Sequence, residues 1–202
     1  MQAIENTLIS RIYGHGRGWV FFRNDFSDLG QADSIDKALS RLAKAGRIRR
    51  VMRGLYDYPK YSPLLKKDLS ADVDQVAHAL ARKFGWSIQV SGNAALNILG
   101  LSTQVPTRYV YHSSGPSKTY KLDNISLNFK KTPLKDMGLK NAHSALLVQA
   151  LKALDKKALS KAEQQAIVLY FPKQQHEKII KDTRYVTSWI HELIKTCFLS
   201  AA

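Results

Sequence analysis

Between Lys37 and Tyr56 the chain carries seven cationic side chains and no acidic one: Lys37, Arg41, Lys44, Arg47, Arg49, Arg50 and Arg53. The chemistry open to such a set is neutralisation of a polyanion. An arginine fork matches two phosphate oxygens or the O6 and N7 edge of guanine, and a lysine acts as a point charge on phosphate. Ser34 and Ser40 add hydroxyl donors, and Arg23 lies a short distance upstream. Arginine is itself segregated: eight of the eleven lie in the first 53 positions, while the rest of the chain draws its positive charge mainly from lysine. A solvated face is the ordinary fate of a charge run, so the assignment depends on the elements that present it.

Ile35, Leu39 and Leu42 recur at helical spacing, which predicts a helix from Ser34 to Ala45, capped by Ser34 and stopped by Gly46. Ser34, Lys37, Ser40, Arg41 and Lys44 then fall outside the apolar stripe. A helix charged in this way fits a major groove, with Arg41 set to read a guanine and Lys37 and Lys44 to meet phosphates. Asp36 would accept from a cytosine or favour the positive end of the helix. Beyond Gly46, Ile48 and Val51 mark a basic strand, Met52-Arg53-Gly54 a turn, and Leu55 to Tyr58 a returning strand. Alternation sets Arg47 and Arg49 on one side and Arg50 on the other. Arg49 and Arg53 are the expected contacts of this wing with phosphates or the minor groove.

Upstream, Ile4, Leu8, Ile9 and Ile12 predict a helix from Ala3 to Tyr13. Trp19 to Phe22 reads as a short strand, and a short helix is expected from Asn24 to Leu29, ended by Gly30. Helix, short strand, two helices and a hairpin is the order of a winged helix-turn-helix, assigned to residues 1–60. Pro59, Pro63 and Lys66-Lys67 mark 61–69 as a linker, and 70–202 as a second domain. That domain opens with a helix from Asp72 to Phe84, where Asp72 and Asp74 read as capping acids. Strands follow at Trp86 to Val90 and Thr107 to His112, then a hairpin about Asp123-Asn124. From Asn141 the pattern is helical, with a Ser160–Glu163 capping box and a break at Pro172. The predicted class is α+β: a winged helix-turn-helix, then a mixed α/β domain with a helical C-terminal part.

The whole chain has 202 residues, 31 Lys+Arg against 16 Asp+Glu and a net charge of +15. A balance this basic favours nucleic acid or an acidic surface. One cysteine, Cys197, allows no internal disulfide and no cysteine-based zinc site. Residues 1–10 lack the apolar core of a secretion signal, and no apolar run is long enough to span a bilayer. A cytoplasmic, membrane-free protein is expected. The six histidines show no ligand spacing, and no phosphate loop is present. Ser91-Gly92, between a strand and a helix, is similar to the turn of nucleotidyltransferases, but the strand from Thr107 to His112 offers no metal-binding carboxylate. The expectation is a non-enzyme with no catalytic residue, cofactor or metal. Lys118, Lys121, Lys130 and Lys131 are candidates for a second basic face, beside Tyr109, Tyr111 and Tyr120.

Three segments carry a resemblance: Val20 to Phe26, Ala38 to Val51, and Arg53-Gly54-Leu55-Tyr56. With Val90-Ser91-Gly92-Asn93-Ala94-Ala95-Leu96, Leu99-Gly100-Leu101-Ser102 and Pro106, the pattern resembles the AbiEi-type antitoxins of AbiE toxin–antitoxin systems. The resemblance covers most of residues 1–155. It implies a repressor that binds double-stranded DNA at its own promoter and counteracts a cognate toxin of nucleotidyltransferase type. The alternative is an RNA-binding or protein-interaction adaptor that uses the same winged helix and has no antitoxin role. The helices after Ser160 match no pattern that assigns them a task.

Overall fold

Leu8 and Ile12 lie one helical turn apart, and in the computed structural model both are fully buried on α1 (Gln2–His15). The structure describes residues 2–102, 104, 106–133, 138–139, 141–154 and 158–199. It forms two units, Met1–Gly85 and Trp86–Ala202.

In the first unit α1 is followed by β1 (Val20–Phe21), a 3-10 turn (Arg23–Phe26), α2 (Ala32–Lys44), β2 (Arg49–Met52) and β3 (Leu55–Asp57). Then come β4 (Tyr61–Ser62), β5 (Lys67–Asp68) and α3 (Val73–Phe84). β3 is the centre of a sheet, with β1 and β2 antiparallel on its two sides. This is a winged-helix order in which the expected helix from Asn24 to Leu29 shrinks to the 3-10 turn. The Asp25 carboxylate accepts the Phe22 N–H at 3.0 Å and tightens the entry. α2 begins two residues before its expected start. The Gln31 carbonyl accepts the Ser34 N–H at 3.0 Å, so Ser34 sits inside the first turn and does not cap the helix. Ile35, Ala38, Leu39 and Leu42 close over Leu8, Ile12, Phe21, Phe26, Ile48 and Tyr56. Phe21 meets Phe26 edge to face at 5.6 Å, a geometry that adds ~1 kcal/mol to the area buried.

Two expected boundaries are corrected. Residues 61–69 are not a plain linker, because Tyr61 pairs with Asp68 and Ser62 with Lys67 in a second hairpin. α3 belongs to the first unit, not the second. The reason lies in the sheet. Phe21 and Tyr56 turn toward α1 and α2, so Val20, Leu55 and Asp57 turn the other way. All three are nonetheless buried. α3 packs against β1, burying Val73, Val76 and Leu80, and Arg82 Nη2 donates to the Val20 carbonyl at 2.9 Å. The Asp72 carboxylate caps α3 by accepting the Asp74 and Gln75 N–H groups at 2.9 and 3.3 Å.

The second unit begins with β6 (Ile88–Val90), α4 (Gly92–Ile98), β7 (Arg108–Ser113), β8 (Lys118–Leu122) and β9 (Ile125–Lys131). Its sheet has the order β6-β7-β9-β8, with β7 and β9 parallel and the outer pairs antiparallel. α5 (Ala142–Ala153), α6 (Lys161–Tyr170), α7 (Lys173–Asp182) and α8 (Ser188–Leu199) follow. Asn141 caps α5, and Ser160 and Glu163 form the reciprocal box at 2.7 and 3.2 Å. Gly92, at the start of α4, lies close against α5. A Cβ there would lie 2.8 Å from the Cβ of Ala153 and 3.2 Å from the Gln149 carbonyl oxygen. That contact gives the Ser91-Gly92 pair a packing role. Cys197 on α8 is buried, and burial pushes its thiol up to about 11. The class is α+β, and among the described residues no helix is long and apolar enough to cross a membrane.

Candidate nucleic-acid interface

The acid-free stretch in the sequence is not free of acids in space. Arg41 Nε lies 2.5 Å from Glu5 on α1. Arg23 donates to Asp36 at 3.0 Å, which ties the 3-10 turn to the first turns of α2. Arg49 Nε and Nη2 donate to the two carboxylate oxygens of Asp57 at 3.0 and 2.5 Å, and Nη1 donates to the Leu69 carbonyl at 2.9 Å. Asp57 is buried, and burial raises its carboxyl above the ordinary carboxylate value against the opposing pull of Arg49. Three of the expected DNA contacts therefore already hold internal partners. For Arg49 this is a correction: its donors point at β3 and at the end of the second hairpin. The pair forms because the register sets Arg49 directly opposite Asp57.

The other five cations stand apart. Lys37, Lys44, Arg47, Arg50 and Arg53 are exposed, and none has a hydrogen bond or ion pair among the described residues. Lys37 and Lys44 lie two turns apart on the outer side of α2, with half-buried Ser40 between them. Ser34 is half-buried as well. Arg47 follows the helix, Arg50 stands on β2, and Arg53 occupies the turn beside Gly54, whose φ is 72°. The pairing shifts between Arg50 and Met52, so Val51 is extra and simple alternation ends there. The N-terminal turn of α2 carries exposed Asp33 next to half-buried Asp36. Cationic reach is thus concentrated toward the C-terminal half of α2 and the wing formed by β2 and β3.

Further cations of this unit lie where no site was expected. Arg17 Nη1 donates to the Pro59 carbonyl at 2.8 Å, lies 3.9 Å from Asp68 and covers the Tyr58 ring at 4.7 Å. Lys60, Lys66 and Lys67 are exposed on the second hairpin. The doubled lysine and the two prolines were visible signals. They suggest a connector as readily as a hairpin.

The four lysines expected as a second basic face do not share one. Lys118 pairs with Phe129 and Lys121 with Ser126, so strand alternation sends the first to the aromatic side and the second to the opposite side. Lys118 lies over the Tyr120 ring at 5.1 Å, on the side where Tyr120 meets Phe129. Lys131 shares parity with Phe129, and Lys130 with Asn128. The side opposite the aromatics carries Arg108, His112, Lys121, Asn128 and Lys130. There the His112 ring faces Thr132 at 3.0 Å, and burial, with the nearby Lys130 charge second, lowers its pKa. A cleft of about 450 Å³ opens at Asn93, Leu96, Ser102, Gln104, Thr107 and Arg108. Among the described residues, no group of three His, Cys, Asp or Glu side chains converges as a metal site.

Residues 7–179 match a family described as "Family of unknown function (DUF6088)". No protein among curated sequences matches the chain. A solved structure titled "Crystal structure of RV2827C protein from Mycobacterium tuberculosis" is similar to 99% of this chain and 78% of its own, at 14% identity and a TM-score of 0.43.

Proposed function

The chain belongs to the DUF6088 family, and we propose from its own residues that the first unit binds double-stranded DNA at the promoter of its own operon. One observation carries the reading. Lys37, Lys44, Arg47, Arg50 and Arg53 are exposed and unpaired among the described residues, and they sit on one helix and the wing that follows it. α2 supplies a body of major-groove width, and Arg47, Arg50 and Arg53 extend the phosphate contacts beyond it. Exposed Asp33 opposes phosphate at the other end of α2 and favours a base-edge donor such as the cytosine amino group, while Asp36 is already held by Arg23. Neutralising about five phosphates makes log affinity fall against log salt with a slope of about −4 to −5.

The repressor and antitoxin roles rest on the resemblance of the wing and of the segment from Val90 to Pro106 to AbiEi-type antitoxins. In that reading the protein represses its operon and counteracts a nucleotidyltransferase-type toxin encoded beside it. The test is a gel shift of full-length protein on the duplex upstream of its reading frame, at roughly 50 and 200 mM salt. Steep loss of binding with salt is expected, with an RNA of the same sequence competing poorly. Equal competition by RNA refutes the DNA reading. Co-expression with the neighbouring reading frame tests the antitoxin role, which predicts restored growth.

A further inference from the structure

The second hairpin of the first unit ends in Pro63-Leu64-Leu65-Lys66. Leu64 is 91% exposed and Leu65 56% exposed, side by side at the end of a projection. Scattered surface leucines need no explanation, but two on a braced tip beside a proline do. The brace is specific. Tyr61 pairs with Asp68 and Ser62 with Lys67, the Ser62 hydroxyl accepts the Leu65 N–H at 3.2 Å, and Lys66 holds a left-handed φ of 50°. The base is tied to the wing, since Arg49 joins Asp57 on β3 to the Leu69 carbonyl. Arg17 grips the other side through the Pro59 carbonyl and Asp68.

Charge around the tip has one sign. Lys66 and Lys67 are exposed at the tip, Lys60 is exposed at the base with its stem against Gly18, and the one acid of the hairpin, Asp68, already faces Arg17. Resting on the DNA reading above, we propose that this hairpin is a wedge: Leu64, backed by Leu65, inserts at a base-pair step of the bound duplex while the three lysines meet the flanking phosphates. Apolar side chains on a rigid support can partly unstack a step and bend the duplex, and flexible pyrimidine–purine steps yield most easily. A bilayer is the poorer match, because even a full acyl chain anchors only marginally and two leucines bury far less.

The experiment uses full-length protein and the promoter duplex, with 2-aminopurine placed in turn at its TA and CA steps and a dye pair at its ends. Wild type is expected to raise the 2-aminopurine signal severalfold at one step and to bring the ends closer. Leu64→Ser with Leu65→Ser should abolish both signals and weaken binding roughly tenfold, keeping the salt slope. Lys60→Ala should lower the slope by about one and leave the unstacking signal in place. Wild type that binds the duplex with no unstacking and no bend overturns the wedge and leaves the DNA reading standing. Wild type that binds no duplex overturns both. Sedimentation with phosphatidylserine vesicles that depends on Leu64, with no leucine effect on DNA, assigns the tip to a membrane and refutes the wedge.

Discussion

Arg49 keeps about a third of its side chain in solvent while its partner Asp57 has almost none. Removing the arginine strands a carboxylate inside the sheet, whereas removing both takes away the buried charge together with its partner. Arg49→Ala should therefore cost about 2 kcal/mol, below the range for fully buried pairs because of that exposure. Arg49→Met with Asp57→Leu should regain most of the loss, as read from urea midpoints. The pH dependence separates two aspartates of the first unit. The carboxyl of Asp28, bound by both terminal nitrogens of Arg11, is held below its ordinary value by that hydrogen-bonded pair. Its contribution is present above the unfolded pKa and is lost as pH falls through the lower folded one. Asp57 is raised by burial, so its contribution is full below the ordinary carboxylate value and is lost as pH rises through the folded one. Asp28→Asn should flatten the acid side of the stability profile. Asp57→Asn should not, which a urea series from neutral pH to below 4 would read out.

Among the elements, α2 and the wing were the most legible in the sequence. Ile35, Leu39 and Leu42 repeat at helical spacing, Gly46 and Gly54 take the positive φ that a stop and a tight turn need, and the outer face follows. What the spacing could not carry was pairing between distant residues. Glu5 and Arg41 meet because α1 lies against α2, and Asp57 meets Arg49 because of register. The expectation that Arg41 and Arg49 lead recognition thus gives way to a sharper one. Single alanine substitutions at Lys44, Arg47, Arg50 or Arg53 should each reduce the salt slope of DNA binding by about one. Arg41→Ala should change it less, because its charge already faces Glu5. In the second unit, Gly92→Ala tests the contact between α4 and α5. The added methyl collides with Ala153 and the Gln149 carbonyl, and overpacking of this kind costs ~1–3 kcal/mol. A thermal melt followed by circular dichroism would detect it.

At the scale of the whole molecule the basic balance is nearly even. The first unit holds 15 basic and 9 acidic residues, the second 16 and 7. A cut after Lys67 makes the first part look denser, because it leaves behind the acids Asp68, Asp72 and Asp74. The boundary was hidden because α3 has an amphipathic pattern that suits either side, and only the uncovered face of the small sheet decides between them. A fragment of residues 1–60 lacks that cover and should unfold or aggregate. A fragment of residues 1–85 should melt cooperatively and retain DNA binding, which size-exclusion chromatography and a gel shift would establish.

Cys197 turns that division into something that can be timed. It is the single thiol of the chain, it lies in the second unit, and burial keeps it protonated up to about 11. A reagent that captures thiolates finds no target until α8 opens, so the rate of mass gain in a brief alkylation pulse is a stopwatch on one unit alone. Adding the promoter duplex tells whether occupancy of the first unit slows that clock. A change would reveal energetic coupling between the two units, and an unchanged rate would mean that α8 opens independently of what the first unit holds.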